Sequence, residues 1–301
     1  MIRYISGYLD GDGCFYLGKT IQKHKNIVVY EYSIQIVSVK RKVLDTFCKH
    51  FGGHVGIKPD KVNHKRAYVW TAKCDTAKKL ALKVFPHVID KKLQCKYFIE
   101  LCNSINCNNF KVVSNNNLID RDQIIEKSRR NKEMEGLITK EDIERINQNK
   151  LTVIPTDFDF PYLAGLIDSE GCFRIKKWKP INKPNHVYNI TVEIGNTKFP
   201  ILPWLLERFG GSVCFIPAKE NKRASATWTL SAAALYAILP RICVYLCNKK
   251  AVCEKLIEFQ GTILPNGGDR HSELFRALFE KNREVRERIV QEVHMLNKKG
   301  S

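Results

Sequence analysis

The sequence predicts an α+β protein of two pseudo-symmetric αββαββα domains, each an antiparallel sheet with its helices on one face. Three observations predict it. A nine-residue string occurs twice, as Ile5-Ser6-Gly7-Tyr8-Leu9-Asp10-Gly11-Asp12-Gly13 and Leu163-Ala164-Gly165-Leu166-Ile167-Asp168-Ser169-Glu170-Gly171, at an offset of 170 − 12 = 158. That offset also carries Cys14-Phe15 onto Cys172-Phe173, Phe51-Gly52-Gly53 onto Phe209-Gly210-Gly211, Trp70-Thr71 onto Trp228-Thr229 and Lys91-Lys92 onto Lys249-Lys250. Between these blocks the apolar pattern switches between helical and alternating periods. A solenoid repeat is roughly 20–50 residues long, so a period of 158 means two domains rather than an array.

The elements follow in order. Each motif string is a helix. After the first, Cys14 to Thr20 reads as a strand and Val28 to Val37 as a second, in which Glu31, Ser33 and Gln35 alternate with Tyr32, Ile34 and Ile36. Such alternation leaves one face wet and one packed. The mate strand alternates Asn189, Thr191 and Glu193 with Ile190, Val192 and Ile194. A helix from Lys42 to Phe51 stops at Gly52-Gly53, strands follow near His54 to Lys58 and Ala67 to Lys73, and helices cover Thr76 to Phe85 and Lys91 to Asn103. The boundaries expected are 1–107 for the first domain, 108–157 for a linker with helical segments that breaks the symmetry, 158–265 for the second domain and 266–301 for a C-terminal helix.

Lysine and arginine exceed aspartate and glutamate by 50 − 31 = 19, which points to a polyanionic partner. An apolar fraction of 44% is that of a globular chain, so this is not a basic disordered tail. The apolar runs are too short to cross a bilayer, and no membrane role is expected. The eleven cysteines are scattered, without a C-x-x-C pair, and read as reduced thiols of an intracellular protein. No signal-peptide pattern opens the chain.

Gly7 and Gly165 would let the two motif helices approach closely. Asp12 and Glu170 would then sit together at the helix C-termini, where two carboxylates repel or take up a proton. A divalent ion removes that cost, and hard oxygen ligands select magnesium, calcium or manganese over zinc. Two such ions can activate a water and stabilise a leaving oxygen in phosphodiester cleavage. Asp10 and Asp168 read as structural groups near the helix ends.

Both strings resemble the LAGLIDADG signature of homing endonucleases, and the second departs from it at two positions. The resemblance covers nearly the whole chain outside the linker. It implies a single-chain monomer whose sheets form a saddle on double-stranded DNA, both strands being cut across the minor groove. It implies catalytic metal on Asp12 and Glu170, helped by the backbone carbonyls of Gly11 and Ser169. The expected ion is Mg2+, with Mn2+ able to substitute and Ca2+ supporting binding without cleavage. The resemblance places a basic residue near each scissile phosphate, matching Lys91 and Lys249, although Pro86 precedes Lys91 by five residues and Pro240 precedes Lys249 by nine. It places a polar water-positioning residue after each second strand, which matches Asn196 and, less closely, Ser38.

Strand parity assigns the face toward DNA. It comprises Tyr16, Gly18, Thr20, Glu31, Ser33, Gln35 and Lys65, with Ala67 and Val69, in the first domain. In the second it comprises Arg174, Lys176, Trp178, Asn189, Thr191, Glu193, Arg223, Ser225 and Thr227. Arginine, glutamine and asparagine make bidentate contacts to base edges, while turn lysines such as Lys19, Lys23, Lys25, Lys61, Lys179, Lys183, Lys219 and Lys222 would hold phosphates. The two halves differ at matched positions, so the target is expected to be asymmetric. Two other readings stay open: a maturase that binds intron RNA, and a DNA-binding protein without cleavage. No splicing-domain sequence flanks the domains, which favours a free-standing intron-encoded enzyme in a mitochondrion, a chloroplast or a bacterial cytoplasm.

Overall fold

A computed structural model describes residues 1–301 except 23–26, 60–64, 106–114, 135–137, 149–152, 182–185, 197–199, 221, 264–271 and 301. The first half runs α1 (Ile2–Asp12), β1 (Gly13–Gln22), β2 (Ile27–Ser38), α2 (Arg41–Phe51), β3 (His54–Ile57), β4 (Tyr68–Lys73), α3 (Cys74–Val84) and α4 (Lys92–Ser104). Next come α5 (Asn115–Met134) and α6 (Lys140–Gln148). The second half repeats the first as α7 (Asp159–Glu170), β5 (Gly171–Trp178), β6 (Val187–Asn196), α8 (Ile201–Phe209), β7 (Ser212–Ile216), β8 (Ser225–Ser231), α9 (Ala232–Cys243) and α10 (Lys250–Gly261), and α11 (Glu273–Gly300) closes the chain. Both sheets are antiparallel, ordered β1-β2-β4-β3 and β5-β6-β8-β7. The αββαββα expectation holds in both halves. Among the described residues no helix is long and apolar enough to cross a membrane, and the ten described cysteines are free thiols.

Strand alternation divides each sheet as the sequence predicts. Phe15, Ile34, Ile36, Trp70 and Ala72 point into the core, as do Phe173, Ile190, Val192, Ile194 and Trp228 in the mate. The tryptophans anchor each α2–β3 or α8–β7 corner. Trp70 Nε1 donates to the Gly52 carbonyl at 2.9 Å, and Trp228 Nε1 to that of Gly210 at 2.8 Å. Gly52 and Gly53 have φ of 75° and 91°, and Gly210 and Gly211 of 68° and 84°, a pair of left-handed residues that only glycine adopts without strain.

The linker does not break the repeat throughout. Lys19 pairs with Asp122 of α5 at 2.6 Å, and Tyr30 donates to the same carboxylate at 2.9 Å. In the second half Lys177 pairs with Glu287 of α11 at 2.7 Å, and Tyr188 bonds that carboxylate too. Arg121 bonds the Ser104 carbonyl as Arg286 bonds that of Thr262. Lys19 and Lys177, Tyr30 and Tyr188, and Ser104 and Thr262 are all mates at 158, but the arginines are 286 − 121 = 165 apart. The stretch before α11 is thus seven residues longer than that before α5, and this slip hides the match in the sequence. Only α6 lacks a mate among the described helices. Its Asn147 carboxamide exchanges two hydrogen bonds with Val213 on edge strand β7, donating at 2.8 Å and accepting at 3.2 Å. It stands in for a peptide group of a neighbouring strand, which protects the edge from foreign pairing. The last turn of α11 reaches Phe173 through Asn297 at 2.9 Å, and Lys65 of the first half donates to the Lys298 carbonyl at 3.3 Å.

A candidate active site where the motif helices abut

The motif helices α1 and α7 pack against each other at the centre of the molecule. A Cβ built on Gly7 would lie 2.0 Å from the Tyr162 carbonyl oxygen, and one on Gly165 would lie 2.0 Å from that of Tyr4. Nothing larger than hydrogen fits at either position. The contact persists to the helix ends, since a Cβ on Gly11 would fall 2.0 Å from Ser169 Oγ. The glycine ending each motif has a different purpose from the helix stop its position suggests. Gly13 and Gly171 are extended, with φ of −79° and −77°. They are small because a side chain would strike Leu9 or Ile167 of their own helix.

Asp10 and Asp168 are buried and structural, as expected, and each ties the two halves together. Asp10 accepts the backbone N–H of Ile89 at 2.7 Å and of Lys91 at 2.9 Å, which caps the N-terminus of α4. It also accepts the Tyr162 hydroxyl from the other half at 2.5 Å. Asp168 accepts the N–H groups of Cys247 at 2.6 Å and Lys249 at 2.8 Å, and the Tyr4 hydroxyl at 2.7 Å. Burial, reinforced by the facing carboxylate, raises both tyrosine hydroxyls far above their ordinary range, so they act only as donors at neutral pH. Sequence reasoning missed this latch, although Tyr4 and Tyr162 stand at the same offset of 158 as the motif acids. Tyr4→Phe or Tyr162→Phe leaves a buried carboxylate short of one donor and is expected to lower unfolding stability by about 1–3 kcal/mol in chemical denaturation.

The same contacts settle the register of the basic residues. Lys249 occupies in the second half the place of Lys91 in the first, whatever the proline spacing, because Asp10 and Asp168 grip them identically. Each is the residue just before its helix. Lys91 Nζ donates to the carbonyls of Leu9 at 2.6 Å, Gly11 at 2.7 Å and Gly13 at 2.8 Å. Lys249 Nζ donates to those of Ile167 at 2.6 Å and Asp168 at 3.0 Å. Both ammonium groups thus sit on the negative ends of the motif helices. Burial lowers the Lys249 pKa despite nearby Asp168.

Asp12 and Glu170 end the abutting helices, and among the described residues neither carboxylate has a hydrogen-bonded or ion-paired partner. Desolvation by the surrounding protein raises both above the ordinary carboxylate range, and Asp12 adds to the shift of Glu170. Lys91 and Lys249 oppose the rise. Among the described residues no group of three or more His, Cys, Asp and Glu assembles. The donors here are two carboxylates and the backbone oxygens beside them. This set fits a hard divalent ion that draws its other ligands from water and a phosphate. The Gly11 carbonyl already accepts Lys91, so only its second lone pair is open to a metal. Ser169 bonds back through its hydroxyl to the Gly165 and Leu166 carbonyls, at 3.2 and 3.0 Å, and keeps its own carbonyl at the helix end. Asn196 donates to Asp90 of the first half at 2.7 Å. Ser38 lies at the mate position and accepts the Lys40 N–H at 3.1 Å.

The helix-free faces of the sheets carry the residues assigned by parity, with corrections. Tyr16, Thr20, Glu31, Arg174, Lys176 and Trp178 are exposed there, and Gln35, Asn189, Ser225 and Thr227 are partly so. Gly18 has the predicted face but lies buried under the Tyr16 ring, whose hydroxyl a Cβ would meet at 2.5 Å. Ser33 and Thr191 face the same way but are only 4% and 2% exposed, closed over by longer neighbours on adjacent strands. Glu193 is held between Arg174 at 3.3 Å and Lys176 at 2.7 Å. Lys65 and Arg223 are exposed but precede their strands rather than lying in them. Lys19 points to the helix side and pairs with Asp122, so it is not a turn lysine for phosphate. Lys23, Lys25, Lys61 and Lys183 lie outside the described residues.

No protein-family model and no curated protein matches the sequence. Solved structures do match its fold. The structure titled I-SmaMI bound to uncleaved DNA target in the presence of calcium ions superposes with a TM-score of 0.65 over 97% of this chain and 98% of that one, at 13% identity. The LAGLIDADG meganuclease I-CpaMI bound to uncleaved DNA gives 0.61 over 97% and 98%, also at 13% identity. The chain has the LAGLIDADG homing-endonuclease fold. I-SmaMI bound to cleaved DNA, titled a LAGLIDADG homing endonuclease, superposes with a TM-score of 0.64 at 13% identity over 96% of this chain and 95% of that one. Across the LAGLIDADG fold of this chain the doubled motif forms the central helix pair.

Proposed function

We propose that this chain is a site-specific endonuclease of the LAGLIDADG homing type that cuts both strands of a long, asymmetric double-stranded DNA target. One observation carries the reading. Two carboxylates that have no hydrogen-bonded or ion-paired partner among the described residues, Asp12 and Glu170, stand at the abutting ends of helices related by a pseudo-twofold axis, with a lysine on each helix end. That is an arrangement for two equivalent reactions on antiparallel strands. The solved structures of like fold, titled as bound to uncleaved and to cleaved DNA, support it.

Magnesium bound by Asp12, Glu170 and the adjoining backbone oxygens would lower the pKa of an attacking water and stabilise the departing oxygen. The rest falls to the chain. Lys91 and Lys249 lie within one turn of the acids and offer positive charge to phosphoryl oxygens as negative charge develops there. Asn196 and Ser38 flank the two sites and would orient water. The exposed side chains of the two sheets would read base edges, and because Tyr16, Thr20 and Glu31 differ from their mates, the two half-targets would differ. One chain supplies both halves, so it would act as a monomer, and an intron-encoded origin fits. The sheets favour duplex DNA over intron RNA, because double-stranded RNA is recognised mostly by shape.

Incubating the protein with a randomised duplex library in magnesium, against a calcium control, and sequencing the ends is the direct test. Cuts at one long asymmetric motif, absent in calcium, are expected. Binding without cuts in any divalent metal would refute the nuclease. On the motif so found, the affinity should fall steeply with salt, with a log–log slope of roughly −0.9 for each phosphate neutralised. A flat response in fluorescence anisotropy would remove the basic sheets from the interface.

A further inference from the structure

The second sheet carries an ion cluster that its mate positions in the first sheet lack. Glu193 of β6 faces the helix-free side, with its side chain only 16% exposed. Its Oε2 meets Arg174 Nε at 3.3 Å, and its Oε1 meets Lys176 Nζ at 2.7 Å. The two cations lie two residues apart on β5, with side chains 55% and 50% exposed. In the register Glu193 stands opposite Cys172, at the motif end of the sheet, while Arg174 and Lys176 stand opposite Thr191 and Asn189. Lys176 therefore leans back toward the motif end to reach the carboxylate. The Arg174 guanidinium also bonds Cys172. At the offset of 158 the mates of Glu193, Arg174 and Lys176 are Gln35, Tyr16 and Gly18, which bring no charge, and Gln35 Nε2 donates to Ser33 at 2.9 Å instead.

Ion pairs with cations this exposed add little to stability, and a carboxylate on a face meant for a polyanion repels it. Holding the cations in place offsets that cost. An arginine gives up rotamer freedom when it docks on a base, and a partner that fixes it beforehand removes part of the loss. Glu193 takes the Nε side of Arg174, and a guanidinium has five N–H donors, so donors are left for a base edge. A planar pair of donors matches O6 and N7 of guanine in the major groove, and no other base offers two acceptors there. Both Glu193 oxygens are already turned to cations, so the carboxylate is not set to accept from cytosine. Building on the endonuclease reading, we propose that Arg174 reads a guanine in the half-target held by the second sheet, and that Glu193 is the positioning residue that holds it for that base. Tyr16 and Gln35 form no such reader, so the preference falls in one half-target only.

The test reads binding rather than cutting. Duplexes retained from a randomised library in calcium are sequenced for the wild type, Arg174→Ala and Glu193→Gln. The wild type should prefer guanine at one position by roughly ten- to hundredfold, and Arg174→Ala should lose that preference while keeping those at other positions. Deazaguanine placed there, which lacks the N7 acceptor, should weaken wild-type binding roughly tenfold and leave Arg174→Ala unchanged. Glu193→Gln should weaken the guanine preference roughly three- to tenfold, yet bind unrelated duplex more tightly because a repelling charge is gone. A merely structural role for Glu193 would lower both affinities together. That result, a guanine preference indifferent to Arg174, or a cytosine preference that disappears with Glu193, would overturn the proposal. Cleavage in magnesium judges the endonuclease reading separately. Cuts at a motif without the guanine contact would sink this inference alone, and a guanine contact in a protein that cuts nothing would sink the endonuclease alone.

Discussion

Gly165→Ala will destabilise the protein by about 3–5 kcal/mol, and Gly7→Ala will do the same. A methyl group at either position lands 2.0 Å from a backbone carbonyl of the facing helix. A side chain could rotate away, but backbone cannot, so the helices must part by more than an ångström along their whole contact. Overpacking in a rigid interior ordinarily costs about 1–3 kcal/mol, and this case lies beyond that because the obstacle is main chain on both sides. The separation also loosens the Tyr4–Asp168 and Tyr162–Asp10 hydrogen bonds, which span the same contact. Urea unfolding measures the loss. Gly261→Ala is the control, since its Cβ meets nothing within 4 Å and it ends a helix. It should be neutral or stabilising by up to about 1 kcal/mol. Equal stability of Gly165→Ala and wild type would mean that the helices are not in contact.

Asp12→Asn and Glu170→Gln will each reduce cleavage by about a thousandfold, which is about 4 kcal/mol of transition-state stabilisation, while DNA affinity stays within a few-fold of wild type. The same variants will make the metal-free protein more stable at neutral pH. Both carboxylates have raised pKa values in the folded state. The fold therefore binds protons more tightly than the unfolded chain. Its stability falls as pH rises from the ordinary carboxylate range through the folded values. The neutral amides remove these two groups' share of that dependence, and a divalent ion should recover the same stability in the wild type. Thermal melts from pH 4 to 8, with and without magnesium, separate the cases. A wild-type stability that does not fall relative to that of the amide variants across that window would contradict the crowded-carboxylate site.

Much of this was legible in the residues. The offset of 158 foretold two halves, the alternation in Glu31–Ile36 foretold which sheet face is dry, and the glycine at the third motif position foretold the close helix pair. What escaped has physical reasons. Register tells a side chain's face but not what covers it, so alternation alone leaves Ser33, Thr191 and Gly18 open, whereas neighbouring side chains bury them. The sequence shows the charge of Lys91 and Lys249 but not that each ammonium group satisfies helix-end carbonyls. The α5–α11 match was lost to a seven-residue slip, which shifts a helical pattern by two turns and erases any fixed-offset comparison.

That match has a consequence for how the chain is joined. If α5 belongs to the first unit as α11 belongs to the second, each unit is a complete protomer with its own packing helix. The contact between units is then isologous, the kind that forms a twofold homodimer. The join reduces to α6 and the residues on either side of it. A chain severed near residue 150 should yield two pieces that recombine on mixing. Doubling the first unit should give a symmetric dimer, with matched acids on both helices and a palindromic preference.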